Sequence, residues 1–93
     1  MQFAAPKVTH IAASQTDAAI ENESSIRVFG IHVQGTSNGQ VLVEEGDGST
    51  ILFEISVLAN TSYIMNVPFV ADRGINITTP GGVTCTVLHS NVL

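Results

Sequence analysis

The residues able to do covalent or acid–base chemistry are few. They are one cysteine, Cys85, three histidines, a scatter of serines and eight carboxylates. A serine nucleophile on a strand-to-helix elbow needs a Gly-x-Ser-x-Gly run, which is absent, and no local signature of a catalytic cysteine surrounds Cys85. Cys85 stands between Thr84 and Thr86 in an alternating stretch, where a thiol acts as a small core hydrophobe. A zinc site built from His10, His32 and His89 would have to be assembled across separate segments. The simpler reading is three solvent or interface histidines, with His32 and His89 on outward or mixed strand faces. Glu44-Glu45-Gly46-Asp47-Gly48 lacks the oxygen spacing and terminal bidentate Glu of an EF-hand loop, and is expected to be a solvated turn. Glu44 and Glu54 can share a face, but a glycosidase pair also needs a cleft wall that a chain this short barely supplies. Pro80-Gly81-Gly82 precedes a strand, so it is not a phosphate cradle. Asn22-Glu23-Ser24, Asn60-Thr61-Ser62 and Asn76-Ile77-Thr78 match the glycosylation pattern by chance in a chain rich in Asn, Ser and Thr. The expectation is a non-enzyme with no cofactor, no metal and no small-molecule substrate.

The elements that carry these residues read as β. The chain has 93 residues, enough for one domain. Phe29, Ile31 and Val33 alternate to one face, and Asn38-Gly39 signals a hairpin because both residue types accept positive φ. Val41 and Val43 face inward on the return strand. Ile51, Phe53, Ile55 and Val57 share the next apolar face, with Leu52 as an exception on the other. Tyr63, Met65 and Val67 point inward on a strand closed by Pro68. Ile75 and Ile77 open a short strand, and Val83, Cys85 and Val87 alternate on the last. About six short strands at 8–12 residue spacing give an all-β fold, a small antiparallel β-sandwich of jelly-roll or Ig-like type. Residues 25–93 form it, and residues 1–24 form a less regular N-terminal arm or possible first strand.

Composition narrows the partners. Hydrophobic residues make up 44% and charged residues only 12% of the chain, whose formal net charge is −5. The only cations are Lys7, Arg27 and Arg73. Phosphate-backbone binding and polybasic membrane contact both need clustered Lys and Arg, so neither nucleic acid nor membrane is expected as a partner. No stretch approaches the ~20 apolar residues of a membrane-spanning helix, and no signal peptide is evident, so synthesis in a cytoplasm is expected. A small domain with one cysteine has no internal disulfide to support a thin core, which makes self-association the expected additional support. Interface cores are depleted of charge, and this chain is too.

From Ile26 onward the chain resembles small virion structural proteins of tailed bacteriophages. The resemblance lies in Ile26-Arg27-Val28-Phe29-Gly30-Ile31-His32-Val33, in Gly39-Gln40-Val41-Leu42-Val43-Glu44-Glu45-Gly46-Asp47-Gly48-Ser49, in Thr50-Ile51-Leu52-Phe53-Glu54-Ile55 and in Val67-Pro68-Phe69. It continues through Arg73-Gly74-Ile75-Asn76-Ile77-Thr78 and Val83-Thr84-Cys85-Thr86-Val87-Leu88. The short amino-terminal region departs from that pattern. The resemblance implies a head-decoration, cement or accessory protein, located in the virion on the capsid surface or tail. It would self-associate, with a homotrimer expected from the three-fold sites of capsid lattices, and bind the major capsid protein or another virion protein. Phe3, Phe29, Leu52 and Phe69 are the expected interface residues, since the sheet faces cannot hold every apolar side chain inside. The alternative is a carbohydrate- or receptor-binding or adaptor module of a phage tail.

Overall fold

The structure, a computed structural model, describes residues 5–21, 24–46, 48, 50–66 and 68–92. Phe3, Asp47 and Val67 lie outside them. Nine strands are present among the described residues: β1 (Lys7–Ile11), β2 (Ala18–Ile20), β3 (Ile26–Gly35), β4 (Gly39–Glu45), β5 (Ile51–Val57), β6 (Thr61–Met65), β7 (Phe69–Ala71), β8 (Ile75–Thr78) and β9 (Val83–Asn91). They form two antiparallel sheets packed face to face as a small β-sandwich. The larger sheet runs β1-β9-β3-β6, with β7 also pairing β3, and the smaller runs β2-β8-β4-β5.

The sandwich follows from period-2 burial. Val41 and Val43 of β4, Ile75 and Ile77 of β8, and Val83, Cys85 and Val87 of β9 are all buried, as their alternation predicts. They meet Ile26, Val28, Ile31 and Val33 of β3 in one core. The described elements are all strands, so the apolar face of each sheet is covered by the other sheet while the outer faces stay wet.

Two bulges break the alternation. The β3–β9 register slips between Val28 and Gly30, so Val28 turns into the core and Phe29 becomes the extra residue. The expected Phe29–Ile31–Val33 face is thus Val28–Ile31–Val33. The β4–β5 register slips between Val43 and Glu44, opposite Leu52. There Ile51, expected inward, is 52% exposed, while Leu52 packs against the core margin. One extra residue inverts every side chain beyond it, which is why a uniform period fails at both places.

Asn38-Gly39 is not a hairpin. β3 and β4 belong to different sheets, and neither residue has positive φ. The chain crosses between sheets here, docked on the β8–β9 corner by Thr36 N–H to Gly82 O (2.8 Å) and Ser37 Oγ to Gly81 O (2.9 Å). Gly39 is needed for close approach: a Cβ would lie 2.6 Å from Pro80 Cγ. The sequence-adjacent pair that does form a hairpin is β4–β5, around Gly46–Gly48.

The segment expected as an arm supplies a strand to each sheet. β1 pairs with β9 over five residues and β2 with β8 over three, burying Ile11 and Ile20.

Candidate interaction surface

Three surfaces offer themselves to a ligand or partner, and each is built by the ladder pairing. The first is the outer face of the larger sheet. Cross-strand registers align His10, Thr86, His32 and Ile64 in one row across β1, β9, β3 and β6. His10 Nδ1 is 3.0 Å from Thr86 Oγ1. The neighbouring row joins Val8 to Leu88 and Gly30, which adds no side chain to the face. Beyond it Arg27, paired with Ser90 and Val70, places its guanidinium 5.6 Å from the centroid of the Phe29 ring. Arg27 points away from its buried neighbours Ile26 and Val28, so Phe29 lies on this outer face as well. Val8, Ile64, Val70 and Leu88 are all exposed here. No carboxylate among the described residues sits on these strands' outward positions.

The opposite outer face differs. Glu44 and Glu54 project from β4 and β5, sharing a face as expected, and Asp17 adjoins it through hydrogen bonds with Thr78. Gln40 Nε2 donates to Glu54 at 3.3 Å. Among the described residues, Glu44, Glu54 and Asp17 thus lie on the side of the smaller sheet, while the outward strand positions of the larger sheet carry no carboxylate.

The second surface is a polar trough of about 590 Å³ at one end of the sandwich, lined by Gln34, Thr36, Asn60, Thr61, Ser62 and Thr84. The third is a groove of about 470 Å³ where the sandwich is open between β5 and β6, lined by Phe53, Ile55, Tyr63 and Met65. Phe53 closes one end of this opening against Phe69, ring centroids 5.1 Å apart. Of the expected interface residues, Phe29 is on the outer face, whereas Leu52 and Phe69 are half-buried against the core. Tyr63, expected inward, is 51% exposed because β6 is an edge strand with no sheet wall beyond it.

The chemistry-bearing residues do not converge. Among the described residues no three His, Cys, Asp or Glu side chains are grouped closely enough to hold a metal ion. Cys85 is buried and unbonded, and burial pushes its thiol up to about 12, far from a reactive thiolate. His89 departs from the expectation of an outward or mixed face. It is 1% exposed, continuing the inward alternation of Val83, Cys85 and Val87, with Nε2 2.8 Å from Thr9 Oγ1. A polar imidazole suggests a solvent role, but the odd-numbered position of His89 on β9 is the sequence signal of its burial.

His89 belongs to a polar end of the core. Lys7 Nζ donates to Glu21 at 2.8 Å, and Asn91 Nδ2 reaches the other Glu21 oxygen at 3.4 Å. The lysine contact holds Glu21 below its ordinary carboxyl value. Burial holds His89 below its ordinary 6.5, with Glu21 opposing weakly. Because the folded His89 resists protonation and the unfolded one does not, stability is full above pH 6.5 and is lost as the pH falls from there through the folded value. The urea midpoint is expected to drop between pH 7.5 and 5.5, and His89→Gln to flatten that slope. An unchanged slope in the variant would assign the acid sensitivity elsewhere. No protein family, curated protein or solved structure matches the chain.

Proposed function

We propose that the protein is an interaction-class structural component, a decoration or cement protein of a tailed-phage particle, whose copies associate and bind capsomers. The observation that carries this reading is the partition of charge between the two outer faces. A chain of net charge −5 has no carboxylate among the described outward positions of a four-strand-wide face, which carries Val8, Leu88, Ile64, Val70 and Phe29 beside His10, His32, Arg27 and neutral hydroxyls. Interface centres are depleted of charge and enriched in aromatics and Arg, and contiguous exposed apolar patches mark partner sites. The sequence resemblance supplies the kind of particle. Seating this face across a seam between capsomers would stabilise the shell by mass action, since the protein binds the assembled state alone.

A Leu88→Glu substitution places a carboxylate at the middle of the face, on a residue 41% exposed, so the fold should tolerate it. Occupancy on purified phage particles, measured by quantitative mass spectrometry, is expected to fall at least tenfold with the melting temperature little changed. Unchanged occupancy, or a protein absent from particles altogether, would overturn the proposal.

A second reading has one observation in its favour. The end trough is lined by uncharged amides and hydroxyls, the hydrogen-bonding set that a neutral polyol presents. A carbohydrate-binding module of a phage tail would use it. Saturable binding on a glycan array, lost in Gln34→Ala, would favour this reading over the first.

A further inference from the structure

A sheet edge is an unfinished hydrogen-bond ladder, and natural β proteins blunt their edges with charge, proline, bulges or short strands. This sandwich has four edges, and three are blunted. β1 begins with Lys7 after Pro6. β2 is three residues long and is flanked by Asp17 and Glu21, both in left-handed conformation (φ 51° each), which ends the strand at once. β5 carries Glu54 at its midpoint and a bulge at Leu52. On the remaining edge, β7 is short and preceded by Pro68, and β6 is entered from Asn60 in left-handed conformation (φ 59°), but no charge, proline or bulge interrupts β6 itself. Thr61-Ser62-Tyr63-Ile64-Met65 contains no charge and no proline, and it pairs with β3 in unbroken register over all five residues.

We infer that β6 is the self-association edge, pairing antiparallel with β6 of a second copy about a two-fold axis through Tyr63. This rests on the self-association in the proposed function and names its geometry. Self-complementarity chooses the occupant. A two-fold pairing matches each residue with the one equally far from the strand midpoint. Thr61 meets Met65, Ser62 meets Ile64, and Tyr63 meets its own copy. No like charges are opposed, and two aromatic rings meet on the axis, a favourable cross-strand pair. The same operation on β5 would set Glu54 against Glu54, so β5 is disfavoured as a self-pairing edge.

The side chains agree with this. Tyr63 lines the open groove beside Phe53, Ile55 and Met65, with Glu54 and Ser56 on its β5 side, so the grooves of two copies would face each other across the axis with the Tyr63 rings nearest it. Ile64, 60% exposed, would be covered in part by Ser62 of the second copy. The two larger sheets would join into one, doubling the width of the carboxylate-free face available to a particle.

The test is solution mass by light scattering on the full chain, over a concentration series. The expected mass is twice the 9.8 kDa of one chain. Tyr63→Lys and Tyr63→Glu each oppose like charges on the axis and should halve the mass, while their equimolar mixture should restore it. Circular dichroism reports whether each variant is folded. Should either fail to fold, Ile64→Lys mixed with Ser62→Glu makes the same comparison on the solvent face. A trimer or larger ring unaffected by these charges would overturn the β6 pairing and leave self-association standing. A monomer at every concentration would overturn both, with the β6 edge left for a strand of another protein.

Discussion

Removing residues 1–24 should abolish cooperative folding. The reason is that both sheets lose an edge strand at once. β1 covers β9 through five ladder pairs and β2 covers β8 through three. Their buried isoleucines, Ile11 and Ile20, account for about 1.5–3 kcal/mol each. The connection between the strands also supports the core from outside. Thr79, 3% exposed, donates from Oγ1 to Ala12 O at 2.7 Å and accepts from Gln15 N–H at 3.0 Å, and Ser14 N–H reaches Pro80 O at 3.1 Å. Truncation strands that hydroxyl and wets Cys85, Val87, Ile75 and Ile77. At about 0.05–0.15 kcal/mol per residue the whole chain has only about 5–14 kcal/mol of stability, so the two isoleucines alone account for a large share of it, and the stranded hydroxyl and newly wetted core residues add to that loss. Urea or thermal unfolding followed by circular dichroism is the measurement. A truncated chain melting cooperatively within about 5 °C of the full one, the shift that about 1 kcal/mol produces, would mean that the strands are peripheral after all.

Much of the core was legible from the residues. β4, β8 and β9 show their buried positions directly, because Val41/Val43, Ile75/Ile77 and Val83/Cys85/Val87 alternate without interruption. Where the reading failed, the deciding contact lay far away in sequence. The bulge at Phe29 had a local marker in Gly30, since a lone glycine within a strand often accompanies a bulge. Leu52 stands out locally only as an apolar residue on the polar face, and the pairing with β4 is what reveals the bulge. Asn38-Gly39 carries a hairpin signal, yet the glycine answers to Pro80 and Val83, residues that reach it only in the folded sandwich. Burial of His89 follows the alternation of β9, but the partner that satisfies its Nε2, Thr9, lies eighty residues earlier. The charge partition was invisible for the same reason. Composition states how many carboxylates there are, but the face each one occupies follows from strand order, which puts His10, Thr86, His32 and Ile64 side by side from four distant segments.

The same dependence on remote contacts makes two glycines with one backbone angle unequal. Gly48 and Gly74 both have φ of +73°. An L-residue there meets the intrinsic penalty of the left-handed region, about 1–2 kcal/mol. At Gly48 that is the whole cost, since no atom of the described residues lies within 4 Å of an added Cβ. At Gly74 the Cβ would be driven against Glu21 O and stand 2.5 Å from Ile20 O. Both are backbone atoms at the end of β2, so relief requires β2 to move off β8, and the hydrogen bond from Gly46 N–H to Gly74 O (3.0 Å) tethers the other side. Gly74→Ala is therefore expected to cost about 3 kcal/mol or more, a fall of about 12–24 °C in Tm at 4–8 °C per kcal/mol for a chain of this size. Gly48→Ala should lower Tm by about 4–16 °C, the range set by the left-handed penalty alone. The informative quantity is the difference between the two melts, from which the shared φ term cancels. Equal losses would show that β2 yields freely at Glu21, and with it that the short strand contributes little to holding the smaller sheet; a large excess at Gly74 would place the end of β2 among the rigid parts of the sandwich.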